Sequence, residues 1–290
     1  MTIHDALFAP FADFEFMRRA LVGSLALALS AGPIGVLLML RRMSLVGDAM
    51  AHAILPGAAV GFLISGLSLG AMTIGGLAAG FTVAILAGLV TRNTVLKEDA
   101  SLAAFYLISL ALGVTIVSIR GSNIDLLHVL FGAVLALDDN TLILLAAISS
   151  ITLAVLAVIY RPLVLECVDP GYLRSVSGAG APAHLAFLGL VVLNLVGGFH
   201  ALGTLLAVGL MMLPAIAARF WSAEMTGMIL IATLIAIVSS AVGLLISFHF
   251  GLPTGPAIIL VAGAACIGSL LFGPLGGVAW RLLPRPHYQS

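Results

Sequence analysis

Asp48 and His52 stand four residues apart in RRMSLVGDAMAHAILPG, residues 41–57. On a helix that spacing places two side chains on one face, a single turn apart. Pro56 follows four residues later and has no N–H to return to the His52 carbonyl, which leaves that oxygen open to water, a neighbouring group or a cation. Carboxylate, imidazole and spare carbonyl together suit a borderline divalent metal such as Zn2+, Mn2+ or Fe2+. A plainer reading is equally open from spacing: Asp48 as an N-terminal helix cap and His52 as a hydrogen-bonded interface residue. The cost of ionisable groups in an apolar segment favours a site. Glu98, in LKED with Asp99 beside it, is a further candidate ligand if its helix starts deep enough, and a solvated loop residue otherwise.

These residues sit in an unusual background. Of 290 residues, 62% are hydrophobic and 8% charged, the 12 basic and 12 acidic residues cancel, and the mean hydropathy is +1.24. Soluble domains carry roughly 25% charged residues, so most of this surface faces lipid. Zero net charge and a pI near 7.1 provide no basic field for a nucleic-acid backbone. Cys167 and Cys266 form no C-x-x-C pair and read as packing residues. Acidic residues precede the first apolar run, which argues against a cleaved signal.

A membrane helix needs about 20 apolar residues, and the charges mark off such lengths. The intervals Arg19 to Arg41, Asp99 to Arg120 and Asp139 to Arg161 each hold one crossing. Asp48 to Arg92, Arg174 to Arg219 and Glu224 to Arg281 each hold two, with turns expected at Gly66 to Gly70, Gly197-Gly198 and Gly251-Leu252-Pro253. The expectation is nine transmembrane helices, with residues 126–137 too short to cross and read as a re-entrant or interfacial helix. Small-residue runs at 75–80 and 262–269 predict close helix packing.

With the N-terminus outside, most Lys and Arg fall on the inner face, as short cytoplasmic loops require. The outer mouth then carries Asp125, His128, His200 and His249, a candidate cation entrance, together with Asp138 and Asp139. The residues 161–182 form the long inner connection. Asp169 and Pro170 read as the start of a short amphipathic helix there, with Tyr172, Leu173 and Val176 on its apolar face and Gly178 near its end. Such an element could dock a partner or lie on the membrane. No H-E-x-x-H and no phosphate-binding G-x-x-x-x-G-K-[ST] occurs, so neither a zinc protease nor a nucleotide site is written here.

At these motifs the chain resembles the permease subunits of ATP-binding-cassette importers for zinc, manganese and related divalent metals. The resemblance rests on RRMSLVGDAMAHAILPG, GSNIDLLHVLFGAVLAL (121–137), LLAVGLMMLPAIAAR (205–219) and FGLPTGPAIIL (250–260), in order over nearly the whole chain. It implies an all-α permease fold forming one transmembrane domain over residues 1–290 in the bacterial inner membrane, with no catalytic residues of its own. It implies also a permease homodimer, a cytoplasmic ATPase dimer, an extracytoplasmic metal-binding protein, and no cofactor beyond transported Zn2+ or Mn2+, with Fe2+ also open. Carried over by position, Asp48 and His52 look like metal contacts and Glu98 a third. Asp169, Pro170, Tyr172, Leu173, Arg174 and Gly178 look like the segment that grips the ATPase, and Pro56 and Pro214 like helix-breaking positions near the pathway. A gradient-driven carrier using the same Asp/His pair as a relay is the alternative.

Overall fold

The computed structural model describes residues 3–66, 68–120, 134–168 and 180–279, and every regular element among them is helical. The elements are α1 (Ile3–Asp13), α2 (Glu15–Leu40), α3 (Val46–Ser65), α4 (Leu69–Asn93), α5 (Glu98–Arg120), α6 (Asp139–Val168), α7 (Gly180–Leu202), α8 (Thr204–Ala218), α9 (Met225–Phe250) and α10 (Thr254–Phe272), with a 3-10 turn at Val134–Ala136. Helices stand at all the places where crossings were expected. Eight of them are long and apolar enough to span a bilayer, and α8 is shorter. The re-entrant segment expected over 126–137 lies outside the described residues except at its end.

Two boundaries differ from the sequence reading. Gly197 and Gly198 do not turn the chain: α7 continues to Leu202 and the break falls at Gly203, whose φ of 88° is open to glycine and strained for other residues. Gly197 and Gly198 instead admit neighbours. A Cβ on Gly198 would lie 2.5 Å from that of Ala207, and one on Gly197 2.7 Å from Ile148 Cδ1. Moving the break shortens α8 to 15 residues, about 22 Å of helix. It is tolerated because α8 packs against α2, α3, α7, α9 and α10, inside protein rather than lipid.

The second difference concerns the long polar connection, which begins at 169 and not at 161. Helix α6 runs through Pro162 to Val168 because its final turn is anchored to the bundle: Leu163 is fully enclosed and Glu166 pairs with Arg41. Tertiary contacts outweigh the lost hydrogen bond. Pro182, expected to end a loop helix, lies in the first turn of α7, where a missing N–H costs little. Residues 169–179 lie outside the described residues.

Successive helices alternate between two ends of the bundle. Arg41, Arg42, Lys97 and Arg219 gather at one end; Glu15, Arg19 and Asp139 lie at the other, where Arg19 pairs with Glu15 at 2.8 Å and Asp139 at 3.0 Å. Buried hydroxyls and one amide tie the middle. Ser30 and Ser149 share a hydrogen bond of 3.2 Å between α2 and α6, and Asn194 donates to Thr152 at 2.7 Å between α7 and α6.

The tightest contact is α3 against α4. A Cβ on Gly57 would stand 2.0 Å from the Gly75 carbonyl oxygen, and one on Gly75 2.1 Å from that of Gly57, so these helices touch backbone to backbone. The run 75–80 thus packs as its composition predicts. The run 262–269 differs: Gly263 and Gly268 face open space. Gly57→Leu is therefore expected to destabilise the purified protein by about 1–3 kcal/mol through overpacking, while Gly263→Leu leaves its melting temperature within error. Thermal unfolding in detergent reads both.

Candidate metal site

The site begins with the turn that launches α3. Helix α2 closes with paired backbone bonds, Met43 N–H to the Leu38 carbonyl at 2.9 Å and Arg42 N–H to the Met39 carbonyl at 3.0 Å. That closure requires a left-handed residue, and Arg42, at φ 60°, adopts it without being glycine. Such a conformation costs about 1–2 kcal/mol. The turn redirects the chain so that α3 starts at Val46 beside the end of α2.

Asp48 is the third residue of α3, and it is not a cap. Leu45 occupies the capping position and no side chain closes that end. The Asp48 side chain is 64% exposed, and its Oδ1 lies 3.8 Å from His52 Nε2. That separation is too long for a hydrogen bond and leaves both groups available. His52 Nδ1 is buried with no hydrogen-bond partner among the described residues. The imidazole stacks on Tyr106 of α5, centroids 6.3 Å apart and planes 29° off parallel.

Asp48 opens onto a cleft of about 150 Å³ between α3 and α5, lined also by Leu45, Asp99, Leu102 and Tyr106. Among the described residues, the carboxylate that shares this cleft with Asp48 is Asp99. Glu98 begins α5, and its side chain lies outside the described residues. Sequence reading passed over Asp99 and Tyr106, although Asp99, Leu102, Ala103 and Tyr106 keep the three- and four-residue spacing of a single helical face.

Pro56 does not break α3. The helix runs on to Ser65, and Ser109 of α5 donates to the Ala53 carbonyl at 3.1 Å, beside the carbonyl that the proline frees. The proline ring also receives Gly113 of α5, where a Cβ would lie 2.8 Å away. Pro214 likewise sits buried inside a continuous α8.

Of the residues expected at the outer mouth, the described ones lie at the opposite end of the bundle from Asp48. His249, in the last turn of α9, and His200, near the end of α7, belong to the Glu15 end of the bundle. His249 meets Phe248 edge-on at 5.4 Å, and the His200 side chain lies outside the described residues. Asp125 and His128 lie outside them too, as do Asp169, Pro170, Tyr172, Leu173, Arg174 and Gly178. Asp138 is accounted for as a helix cap: its carboxylate accepts the Thr141 N–H at 3.0 Å and the Thr141 hydroxyl.

Chemically, the cleft offers two carboxylates in its lining and open volume for water, with the His52 imidazole 3.8 Å from Asp48. Among the described residues no three His, Cys, Asp or Glu side chains converge to enclose a metal. An incomplete donor set suits passage more than storage, because a closed four-ligand shell binds too tightly to release.

A bundle of eight apolar helices long enough to cross a bilayer is the arrangement of a polytopic membrane protein. The sequence model of the ABC 3 transport family matches residues 13–273, and the chain belongs to that family: it is an integral membrane protein and a transport subunit. It is 30% identical over 262 residues to the manganese import system permease protein ScaB of Streptococcus parasanguinis, covering 90% of this chain and 92% of that one. It is 30% identical over 263 residues to the chelated iron transport system membrane protein YfeD of Yersinia pestis, covering 91% and 87%. Among solved structures it is similar to PsaBC from Streptococcus pneumoniae in complex with Fab, at a TM-score of 0.82 and 26% identity over 95% of this chain and 98% of that chain.

The Asp138 cap generates a prediction. The Thr141 hydroxyl, then its N–H, hold the Asp138 carboxyl below the ordinary carboxylate value of 3.8. A depressed folded-state pKa means that the cap contributes fully above that value and is lost as pH falls through the lower one. The melting-temperature gap between wild type and Asp138→Ala should therefore be constant near neutrality and close only below pH 3.8; thermal scans across acidic buffers read it.

Proposed function

We propose that this chain is the permease of an ATP-driven importer that carries a divalent transition metal inward, with manganese first and iron second, and with Asp48 and His52 as its contacts in the membrane. The observation that carries the reading is the Asp48 environment: a carboxylate 64% exposed on the flank of an apolar bundle, not used as a cap, with a buried, unpartnered imidazole nitrogen one turn away. Lipid cannot solvate that carboxylate. Its exposure on a single protomer therefore supports a second copy covering the cleft, so that two clefts face one aqueous path.

Oxygen-rich donors favour manganese. Asp48 and Asp99 supply carboxylates to the cleft and His52 a single nitrogen nearby, a harder set than the thiolate and multi-histidine shells zinc prefers. The names of ScaB and YfeD, manganese and chelated iron, point the same way. Zinc remains the comparison metal in the test.

The basic residues of the Arg41 end support a cytoplasmic assignment for it and an outside N-terminus. Metal delivered by an extracytoplasmic binding protein would enter at the end carrying His200 and His249, with Asp125 and His128 as further entrance candidates. The segment with Asp169, Pro170, Tyr172, Leu173, Arg174 and Gly178 would receive the ATPase dimer. Pro56 and Pro214, within continuous helices, would act as flexing points. A gradient-driven carrier is disfavoured by membership of the ABC 3 transport family.

In cells holding this permease with its ATPase and binding protein and lacking other importers, Mn2+ uptake is expected to fall about tenfold or more in the Asp48→Ala, His52→Ala double variant at equal membrane abundance, the scale of losing metal contacts. Uptake at the wild-type rate would overturn the site. Competition should rank unlabelled Mn2+ above Fe2+ and Zn2+; zinc outcompeting manganese would overturn the metal assignment.

A further inference from the structure

The transport reading leaves the Arg41–Glu166 pair, the most enclosed of the described ion pairs, unused. Arg41, 7% exposed, pairs with Glu166, 21% exposed, and the guanidinium carbon lies 5.2 Å from the centre of the Phe187 ring. Arg41 Nη1 is buried with no hydrogen-bond partner among the described residues. Three helices meet at this point: Arg41 caps the end of α2, Glu166 stands in the last turn of α6, and Phe187 is on α7.

Stability does not explain the pair. Replacing a buried ion pair with apolar residues of similar volume is often neutral or stabilising, because desolvation offsets the attraction. What such a pair supplies is geometry, since the planar guanidinium fixes both distance and angle to a carboxylate. Its position in the chain gives that geometry a consequence. On one side, Arg41 leads through the left-handed Arg42 into α3 and Asp48. On the other, Glu166 stands three residues before Asp169, where the segment assigned to ATPase docking begins.

We infer that the Arg41–Glu166 pair is a strut that transmits movement of the α6 end to α3, and so couples the ATPase to the Asp48 cleft. The inference rests on the docking role proposed above. Arg41 and Glu166 touch neither metal nor nucleotide; they are positioning residues. A displacement of α6 reaches the turn between α2 and α3 through this stiff, directional contact in addition to the packing of α6 along α2.

The test uses the assembled importer in proteoliposomes, reading Mn2+ moved per ATP hydrolysed together with the melting temperature of the permease. Glu166→Gln and the double variant Arg41→Met, Glu166→Leu are both expected to keep the ATPase bound and hydrolysing while metal moved per ATP falls fivefold or more, the lower end of a coupling free energy between sites. The double variant should melt no lower than wild type. An unchanged ratio in both variants overturns the strut, as does a loss of uptake that only tracks loss of folded protein. Failure of the ATPase to bind the wild-type permease overturns the docking role instead, and the strut with it.

Discussion

An ionised side chain in an apolar bundle has to be paired, placed at a helix end or kept in water, and this constraint orders the molecule. Arg19 meets it with Glu15 and Asp139, Asp138 by capping α6, and Arg41 by its contact with Glu166 and the Phe187 ring. Asp48 meets it at a helix end, as the third residue of α3, with its side chain 64% exposed. Its nearest charged or titratable partner is an imidazole at 3.8 Å, and its other surroundings are a cleft shared with Asp99. A carboxylate so placed is kept in water, and the proposed function starts from that exposure.

The packing around the cleft is uneven in a useful way. Helices α3 and α4 are clasped through Gly57 and Gly75, with no side chain between their backbones. Helix α5 is the least enclosed span, 17% of its apolar window buried against 50% for α3. The cleft lies on the seam between the clasped pair and this looser helix, held there by the Tyr106 stack on His52, the Ser109 bond to Ala53 and the fit of Gly113 against Pro56.

Much of this was legible in the residues because lipid imposes simple rules. Charge spacing located the helices, since a span must exclude charge over about 20 residues. The four-residue spacing of Asp48 and His52 placed the two side chains on one face of α3, since helical periodicity is local. Features decided by tertiary contact were not legible. A double glycine reads as a turn, but Gly197 and Gly198 serve helix approach and the turn went to Gly203. The long connection was expected from 161, but burial of Leu163 and the Glu166 pairing carried α6 on to Val168. Glu98 and Asp99 are neighbours in sequence, and only the orientation of α5 about its axis carries Asp99 into the cleft beside Asp48.

The functional reading stands or falls on whether Asp48 and His52 hold the travelling metal, and metal binding reads this without transport or ATP. Electron paramagnetic resonance of Mn2+ titrated into the purified permease separates bound from free ion. A bound population is expected in the wild-type protein, and it should disappear in the folded Asp48→Ala, His52→Ala variant. An equal bound population in both would contradict the assignment.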